Sequence, residues 1–245
     1  RTSHNARSVE YIAEMVSRES ASKRSAICGC TTMKKIVIAS FAGGVGKTTT
    51  AHSLATAMSE YGKKTLLVDA DPNSALTFLC GVENPRFTLR EVLEGSKLET
   101  SVVSTGERFS FLPGSARLSE ISEITSLLET QEFDIALIDT ASSLSALTVQ
   151  LIKAADLIII PVTSSFISIR SALHIKDFIG AENVKRIRIL DCGMSSEART
   201  QLSSDFTILE PGIRKDEQIR ANELSKVSIL TSAPHSASAS LITVR

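Results

Sequence analysis

One short stretch of the chain concentrates its glycines, at Gly43, Gly44 and Gly46. An apolar run at 35–39, typical of a buried strand, precedes it, and a segment with helical spacing at 47–61 follows it. The glycines allow backbone N–H groups to turn toward one anion, and the following helix adds the positive end of its dipole. Lys47 supplies a mobile positive charge, and the Thr48 hydroxyl can reach Mg²⁺. Together these features predict a phosphate-binding loop.

The glycine spacing identifies the kind of loop. The common P-loop has a glycine five residues before its last one, and Phe41 stands at that position here. The sequence resembles the deviant P-loop of the ParA/MinD superfamily, which includes partition ATPases, septum-site ATPases, nitrogenase iron protein and the arsenite-pump ATPase. In that family a lysine at the position of Ala42 reaches across a dimer to the partner's nucleotide. The resemblance implies that these residues bind the nucleotide: Gly43, Gly44, Val45, Gly46, Lys47, Thr48 and Thr49.

A second apolar run, 65–68, is followed by two carboxylates, Asp69 and Asp71. In an open parallel sheet, residues at the carboxyl ends of the strands face the ligand. The resemblance implies that Asp71 positions or activates the attacking water and that Asp69 lies near the water shell of Mg²⁺. The residues alone leave another interpretation open, in which one carboxylate caps the turn before Pro72.

A third apolar run, 135–138, ends on Asp139, as in the Walker B motif. There Asp139 would hold a water molecule bound to Mg²⁺. Family members usually continue with two prolines in this switch segment, whereas this chain has Ala141 and Ser142. The departure does not affect the predicted Mg²⁺ role, but it leaves the stiffness of the segment open.

Positive charge is frequent in the later half of the chain. These residues carry it: Arg170, Lys176, Lys185, Arg186, Arg188, Arg214, Lys215 and Arg220. They could form a local patch that neutralises DNA phosphates without reading the bases, or they could be solvated helix faces. The whole chain is balanced, with 27 basic and 27 acidic residues, so it is not a generally cationic DNA-binding protein. The resemblance, which covers about 33–235, places Pro211 and Ile213 near the adenine.

Strand-like and helix-like segments alternate from Met33 onward. We predict strands at 35–39, 65–69, 109–112, 134–139, 157–162, 186–190 and 206–209, and helices near 47–61, 88–94, 118–129, 144–154, 167–179, 195–202 and 216–224. This order predicts an α/β fold, a mostly parallel twisted sheet covered by helices on both faces, of the P-loop NTPase type with the deviant Walker A motif. We assign one ATPase domain to 33–245.

The first 32 residues form a separate N-terminal extension, predicted to hold a short helix followed by a flexible segment without periodicity. It could be a regulatory or DNA-contacting arm, part of a larger fusion, or a tail without a role. Cys28 and Cys30 within it could touch a metal, but no second pair completes a four-ligand set. Four scattered cysteines do not form a disulfide framework, and the longest apolar runs are strand-sized. These features predict a cytoplasmic protein, associated with the nucleoid if it binds DNA.

The resemblance implies a partition-type ATPase that uses ATP and Mg²⁺. It would form an ATP-dependent homodimer, bind nonspecific DNA and be stimulated by a centromere-binding or cargo adaptor protein. Lys47, Asp71 and Asp139 would be catalytic, and Thr48, Asp69 and Asp139 would hold the metal. No membrane partner is expected, because the last residues, 235–245, lack a basic amphipathic pattern.

Two alternatives remain. The alanine at position 42 favours a nucleotide-dependent scaffold with little or no hydrolysis, because a charge-assisted contact to phosphate contributes about 1.5–3 kcal/mol. Bacterial tyrosine kinases share the loop and often lack the lysine. However, Tyr11 and Tyr61 are the only tyrosines, so the chain has no C-terminal tyrosine cluster.

Overall fold

A computed structural model describes residues 33–124, 128, 130–210 and 212. Their strands form one eight-stranded sheet in the order β3-β4-β2-β5-β1-β6-β7-β8. The strands are β1 (Lys34–Ile38), β2 (Thr65–Ala70), β3 (Val103–Ser104), β4 (Ser110–Leu112), β5 (Ile135–Thr140), β6 (Leu157–Val162), β7 (Ile187–Asp191) and β8 (Thr207–Leu209). All pairings are parallel except that of β3 with β4. The predicted mostly parallel sheet is confirmed.

Helices cover both faces of this sheet. They are α1 (Lys47–Glu60), α2 (Ala75–Leu79), α3 (Leu89–Leu93), α4 (Leu98–Ser101), α5 (Ala146–Ala154), α6 (Phe166–Ile179) and α7 (Ser196–Ser203), with 3₁₀ turns at Ala116–Glu120 and Ala181–Arg186. Successive strand residues alternate between the faces, so Ile36 and Ile38 pack under α1 while Val37 packs under α5 and α6. Every residue of β2, β5 and β6 is buried, which explains their continuous apolar composition.

The central position of β1 determines where the glycine-rich loop lies. β1 pairs with β5 on one side and with β6 on the other. The loop that follows β1 therefore emerges between the carboxyl ends of two neighbouring strands. This is the edge at which open α/β sheets bind ligands.

The structure differs from the sequence predictions at several elements. The helix predicted for 118–129 is wrong over its described residues, where a 3₁₀ turn at Ala116–Glu120 precedes irregular chain. Arg90 explains the difference, because its guanidinium bonds to the Arg117 carbonyl and to Glu120 and fixes that turn. β3, α2 and α4 were not predicted, because two to five residues are too short to show a periodicity. The predicted helices in the first 32 residues and at 216–224 lie outside the described residues.

Within the described ranges, every helix is too short or too polar to cross a lipid bilayer.

Candidate functional site

The loop between β1 and α1 has the backbone geometry that its glycines predict. Gly44 (φ 67°) and Gly46 (φ 94°) both adopt the left-handed conformation. A Cβ atom at either position would meet no atom within 4 Å, so the requirement lies in the backbone conformation rather than in crowding. Gly46 is the N-cap residue of α1 and offers no side chain to its first N–H groups. A 14-residue helix thus begins with donors suited to an anion.

Helix α6 anchors the start of this loop. The Phe41 N–H donates to Ser171 Oγ at 2.6 Å, and the Ser40 hydroxyl donates to the same atom at 3.3 Å. The Phe41 ring also meets the Phe178 ring edge-on, with centroids 6.1 Å apart. Phe41, which replaces the usual glycine, therefore fastens the loop to α6. Sequence reasoning assigned no role to Ser171, because only the fold brings it to the loop.

Lys47 lies at the first helical position and is buried. Its Nζ donates to the Ala42 carbonyl oxygen at 3.3 Å and to Ser142 Oγ at 2.5 Å. Burial lowers the pKa of Lys47, while the negative charges of Asp139 and Asp71 act in the opposite direction. The predicted phosphate-binding cation thus lies within electrostatic reach of both carboxylates. The Ser142 contact is an additional feature that the sequence did not reveal.

Asp139 is the carboxylate of the site whose pKa is raised most by burial. It is fully buried at the end of β5, opposite Ile38 of β1 and opposite Asp69 of β2. Neither of its oxygens has a hydrogen-bond partner of normal geometry among the described residues. Burial raises its pKa to about 8, and the nearby Thr48 hydroxyl and Lys47 charge oppose that rise. A buried carboxylate of this kind needs a cation, an ordered water or a proton, so it fits a site for hydrated Mg²⁺.

Asp69 is equally buried, but its oxygens are already bonded. Oδ2 accepts the Thr77 N–H at 2.8 Å and the Thr77 hydroxyl at 2.6 Å, and Oδ1 accepts the Asp71 N–H at 3.1 Å. Burial raises the pKa of Asp69 to about 6, less than that of Asp139 because these bonds stabilise the carboxylate. Asp69 therefore connects the end of β2 to α2. The structure gives it a supporting position at the predicted site.

Asp71 makes the turn-capping contacts that one of its two interpretations predicts. Its Oδ1 accepts the Asn73 N–H at 2.9 Å and the Asn73 side-chain amide at 3.0 Å, which is the turn-capping arrangement. The side chain is half-buried, and its charge acts on Lys47. The turn thus holds the carboxylate beside the loop.

Several described basic residues of the later half make structural contacts. Lys176 pairs with Asp205 at 2.8 Å. Arg186 donates to the Ala155 carbonyl at 2.6 Å, and Arg188 donates to the Lys185 carbonyl at 2.5 Å. These contacts account for part of the positive charge without DNA.

The described residues contain no group of three or more His, Cys, Asp or Glu side chains that could hold a metal. A Mg²⁺ ion at the loop would therefore be held by Thr48 and Asp139 together with phosphate oxygens and water. The adenine-site residues Pro211 and Ile213, and the basic residues Arg214, Lys215 and Arg220, lie outside the described residues.

The parallel sheet, the glycine-rich loop after β1 and the buried Asp139 beside Lys47 define the class, a P-loop nucleoside triphosphatase. Comparison with known proteins agrees, since the family described as AAA domain matches residues 33–188. The chromosome-partitioning ATPase Soj of Thermus thermophilus is 33% identical over 142 residues, which cover 55% of this chain and 56% of Soj. The maintenance of carboxysome distribution protein A of Synechococcus elongatus is 32% identical over 167 residues, covering 60% of this chain and 65% of that protein. The match thus spans between half and two thirds of each relative.

A solved structure of the septum site-determining protein MinD from Pyrococcus horikoshii OT3, complexed with Mg-ADP, has a TM-score of 0.70 and 24% identity. The likeness covers 86% of this chain and 93% of that one, and at this identity it shows a shared fold. The family match and the sequence relatives show the family as well as the fold. The chain belongs to the ParA/MinD superfamily of P-loop ATPases, on the ParA branch.

Proposed function

We propose that the protein is a partition or positioning ATPase that works as an ATP-dependent switch. It binds Mg·ATP at residues 43–49, closes into a homodimer and binds nonspecific DNA in that state. Slow hydrolysis, stimulated by a centromere-binding or cargo adaptor protein, then releases the DNA. The observation that carries the proposal is the fully buried Asp139 at the end of β5, near Lys47 of the glycine-rich loop and without a hydrogen-bond partner of normal geometry among the described residues. The names of the relatives, which concern chromosome partitioning and carboxysome distribution, support the positioning role.

The chemistry follows from the contacts around the loop. Lys47 and the loop N–H groups would hold the phosphates, and Thr48 and Asp139 would hold Mg²⁺, whose charge would stabilise the phosphate oxygens. Asn73 fixes the Asp71 carboxylate through Oδ1, and we assign the orientation of the attacking water to Oδ2. Catalysis then consists of positioning and electrostatic stabilisation.

Asp69 would support this site without touching the metal directly. Because both of its oxygens accept bonds from Thr77 and Asp71, we propose that it orients Asp71 and contacts the metal only through the water shell. We also propose that Pro211 and Ile213 lie near the adenine of the bound nucleotide.

The DNA surface is a further proposal. Of the described cations, exposed Arg170 and the 3₁₀-turn residue Lys185 are suited to a solvent-facing patch. Arg214, Lys215 and Arg220, which lie outside the described residues, are candidates by sequence alone. Such binding depends on counterion release, so it must weaken steeply with salt. Because it would bind DNA, we also propose that the protein is cytoplasmic and associated with the nucleoid.

One experiment tests nucleotide binding. Lys47→Ala removes the mobile cation from the loop, and calorimetry should show loss of tight ATP binding. Lys64→Ala removes an exposed lysine at the start of β2 and should bind ATP like the wild type. ATP affinity within twofold of wild type in Lys47→Ala would refute the phosphate-binding role.

A second experiment tests the switch. We expect DNA affinity to be high with ATP and low with ADP or without nucleotide, and to fall with added salt. DNA binding that ignores the nucleotide would contradict the partition mechanism.

The scaffold with little hydrolysis remains a second candidate because of Ala42. Its side chain is only 3% exposed, its N–H donates to Ser40 Oγ, and its carbonyl accepts from Lys47. The loop therefore presents no cation to a partner at this position. Ala42→Lys should tighten ATP-dependent dimerisation by about tenfold and raise turnover, measured by ultracentrifugation with a nonhydrolysable ATP analogue. An equally tight wild-type dimer would argue against this candidate.

A further inference from the structure

Ser142 makes a contact that the proposed ATPase mechanism does not use. Its Oγ accepts a hydrogen bond from Lys47 Nζ at 2.5 Å, and the Ala42 carbonyl accepts another at 3.3 Å. A lysine ammonium has three N–H donors. These two contacts occupy two of them, so one donor remains for a phosphate oxygen.

The segment that carries Ser142 is held at both ends. On one side, the Thr140 hydroxyl donates to the Ile38 carbonyl at 2.9 Å, which ties the end of β5 to β1. On the other side, Ser145 caps α5 by accepting the Thr148 N–H at 3.1 Å. Ser142 thus presents its hydroxyl from a fixed piece of backbone.

The position of Lys47 matters because a carboxylate competes for it. The charge of Asp139 raises the pKa of Lys47, so the two groups are within electrostatic reach. Nevertheless, neither Asp139 oxygen accepts a hydrogen bond of normal geometry from a described residue, Lys47 included. The ammonium is bonded to Ser142 and Ala42 instead.

We propose that Ser142 is a positioning residue that holds the Lys47 ammonium toward the phosphate loop and apart from Asp139. This inference rests on the proposed function. Without an acceptor at position 142, Lys47 turns toward Asp139 and pairs with it. One rearrangement then withdraws the cation from the phosphates and the carboxylate from Mg²⁺, so both binding functions weaken together.

The test compares Ser142→Ala with two other variants. Ser142→Thr keeps the hydroxyl, and Ser143→Ala removes a hydroxyl from the exposed neighbouring residue. Calorimetry measures ADP and ATP affinity with and without Mg²⁺, and thermal melts without nucleotide confirm that each variant is folded. Should Ser142→Ala fail to fold, Ser142→Cys takes its place, because sulfur is a weak acceptor of similar size.

We expect Ser142→Ala to bind both nucleotides about tenfold more weakly, which corresponds to 1.4 kcal/mol. The increase in affinity that Mg²⁺ gives to the wild type should also shrink. Ser142→Thr should restore affinity to within about twofold, and Ser143→Ala should match the wild type.

Three results overturn the inference. They are unchanged nucleotide affinity in Ser142→Ala, tighter binding in that variant, and weaker binding with an undiminished Mg²⁺ effect. A lower melting temperature with unchanged affinity would assign Ser142 a purely structural role. None of these results affects the Lys47→Ala test, so failure of this inference is separable from failure of the proposed ATPase function.

Discussion

Replacement of Asp139 by asparagine should raise the free energy of unfolding while weakening nucleotide binding. Burial raises the pKa of Asp139 from 3.8 to about 8. Each pKa unit is worth about 1.4 kcal/mol, so at pH 7 this carboxyl group costs the native state about 4 kcal/mol. Asparagine removes that cost but, compared with the protonated carboxyl group, buries one additional unsatisfied N–H donor, which costs about 1–3 kcal/mol. We therefore expect Asp139→Asn to be more stable than the wild type by about 1–3 kcal/mol at pH 7.

The free-energy cost of Asp139 in the wild type depends on pH. Because the folded pKa is higher than the unfolded one, the native state of the wild type binds more protons between pH 3.8 and about 8. The contribution of Asp139 to stability must therefore fall as the pH rises through that window. At pH 5 the cost is only about 2 kcal/mol, so the advantage of Asp139→Asn should largely vanish there.

Urea unfolding at pH 5 and pH 7, without Mg²⁺ or nucleotide, measures both values. Asp177→Asn, which changes an exposed carboxylate on α6, is the control. Despite its higher stability, Asp139→Asn should lose the Mg²⁺-dependent part of its ATP affinity. An equal stability difference at the two pH values, or a variant less stable than the wild type at pH 7, would refute this account of Asp139.

Three further predictions concern single residues. Asp71→Ala should bind ATP normally but hydrolyse it far more slowly; wild-type turnover would reduce Asp71 to a turn residue. Gly114→Ala should lose about 1–3 kcal/mol in urea unfolding, because its Cβ would lie 2.8 Å from the Asp69 Cγ, whereas Gly106→Ala has open space. Burial lowers the pKa of His52 to about 4 while the unfolded value stays near 6.5, so ionisation of His52 should cost the wild type about 3 kcal/mol of stability between pH 6.5 and 4, relative to His52→Leu. Melts of His52→Leu that retain the same acid sensitivity would contradict that origin.

The sequence predicted the architecture well because the pattern and the fold agree at several levels. Apolar runs such as 157–162 are long and bounded by clear turns, and they became fully buried strands. The loop at 43–49 was equally easy to recognise from the sequence. Its residue types are all suited to phosphate binding, and they are consecutive in the chain. The helix predicted for 118–129 failed because a tertiary contact, from Arg90, decides the local structure there.

The contacts of the site could not be predicted in the same way. Ser142 lies 95 residues from Lys47, and Ser171 lies 130 residues from Phe41. Serine is a common surface residue, and neither position belongs to a motif that assigns its hydroxyl a partner. Only the parallel order β5-β1-β6 brings the segments after β5 and β6 to the loop after β1. Such contacts depend on topology, which a local pattern does not contain.

The two strand-end carboxylates show why residue type and spacing leave a role undecided. Asp69 and Asp139 occupy matching positions on neighbouring strands, both fully buried, and the register places them directly opposite each other. Their difference arises from Thr77, whose N–H and hydroxyl both reach Asp69, whereas Asp139 has no bonded partner of that kind among the described residues. Because a bonded carboxylate is already stabilised, it gains less from a cation than an unbonded one. The different roles that we propose for Asp69 and Asp139 therefore depend on one short helix, α2, that the sequence did not predict.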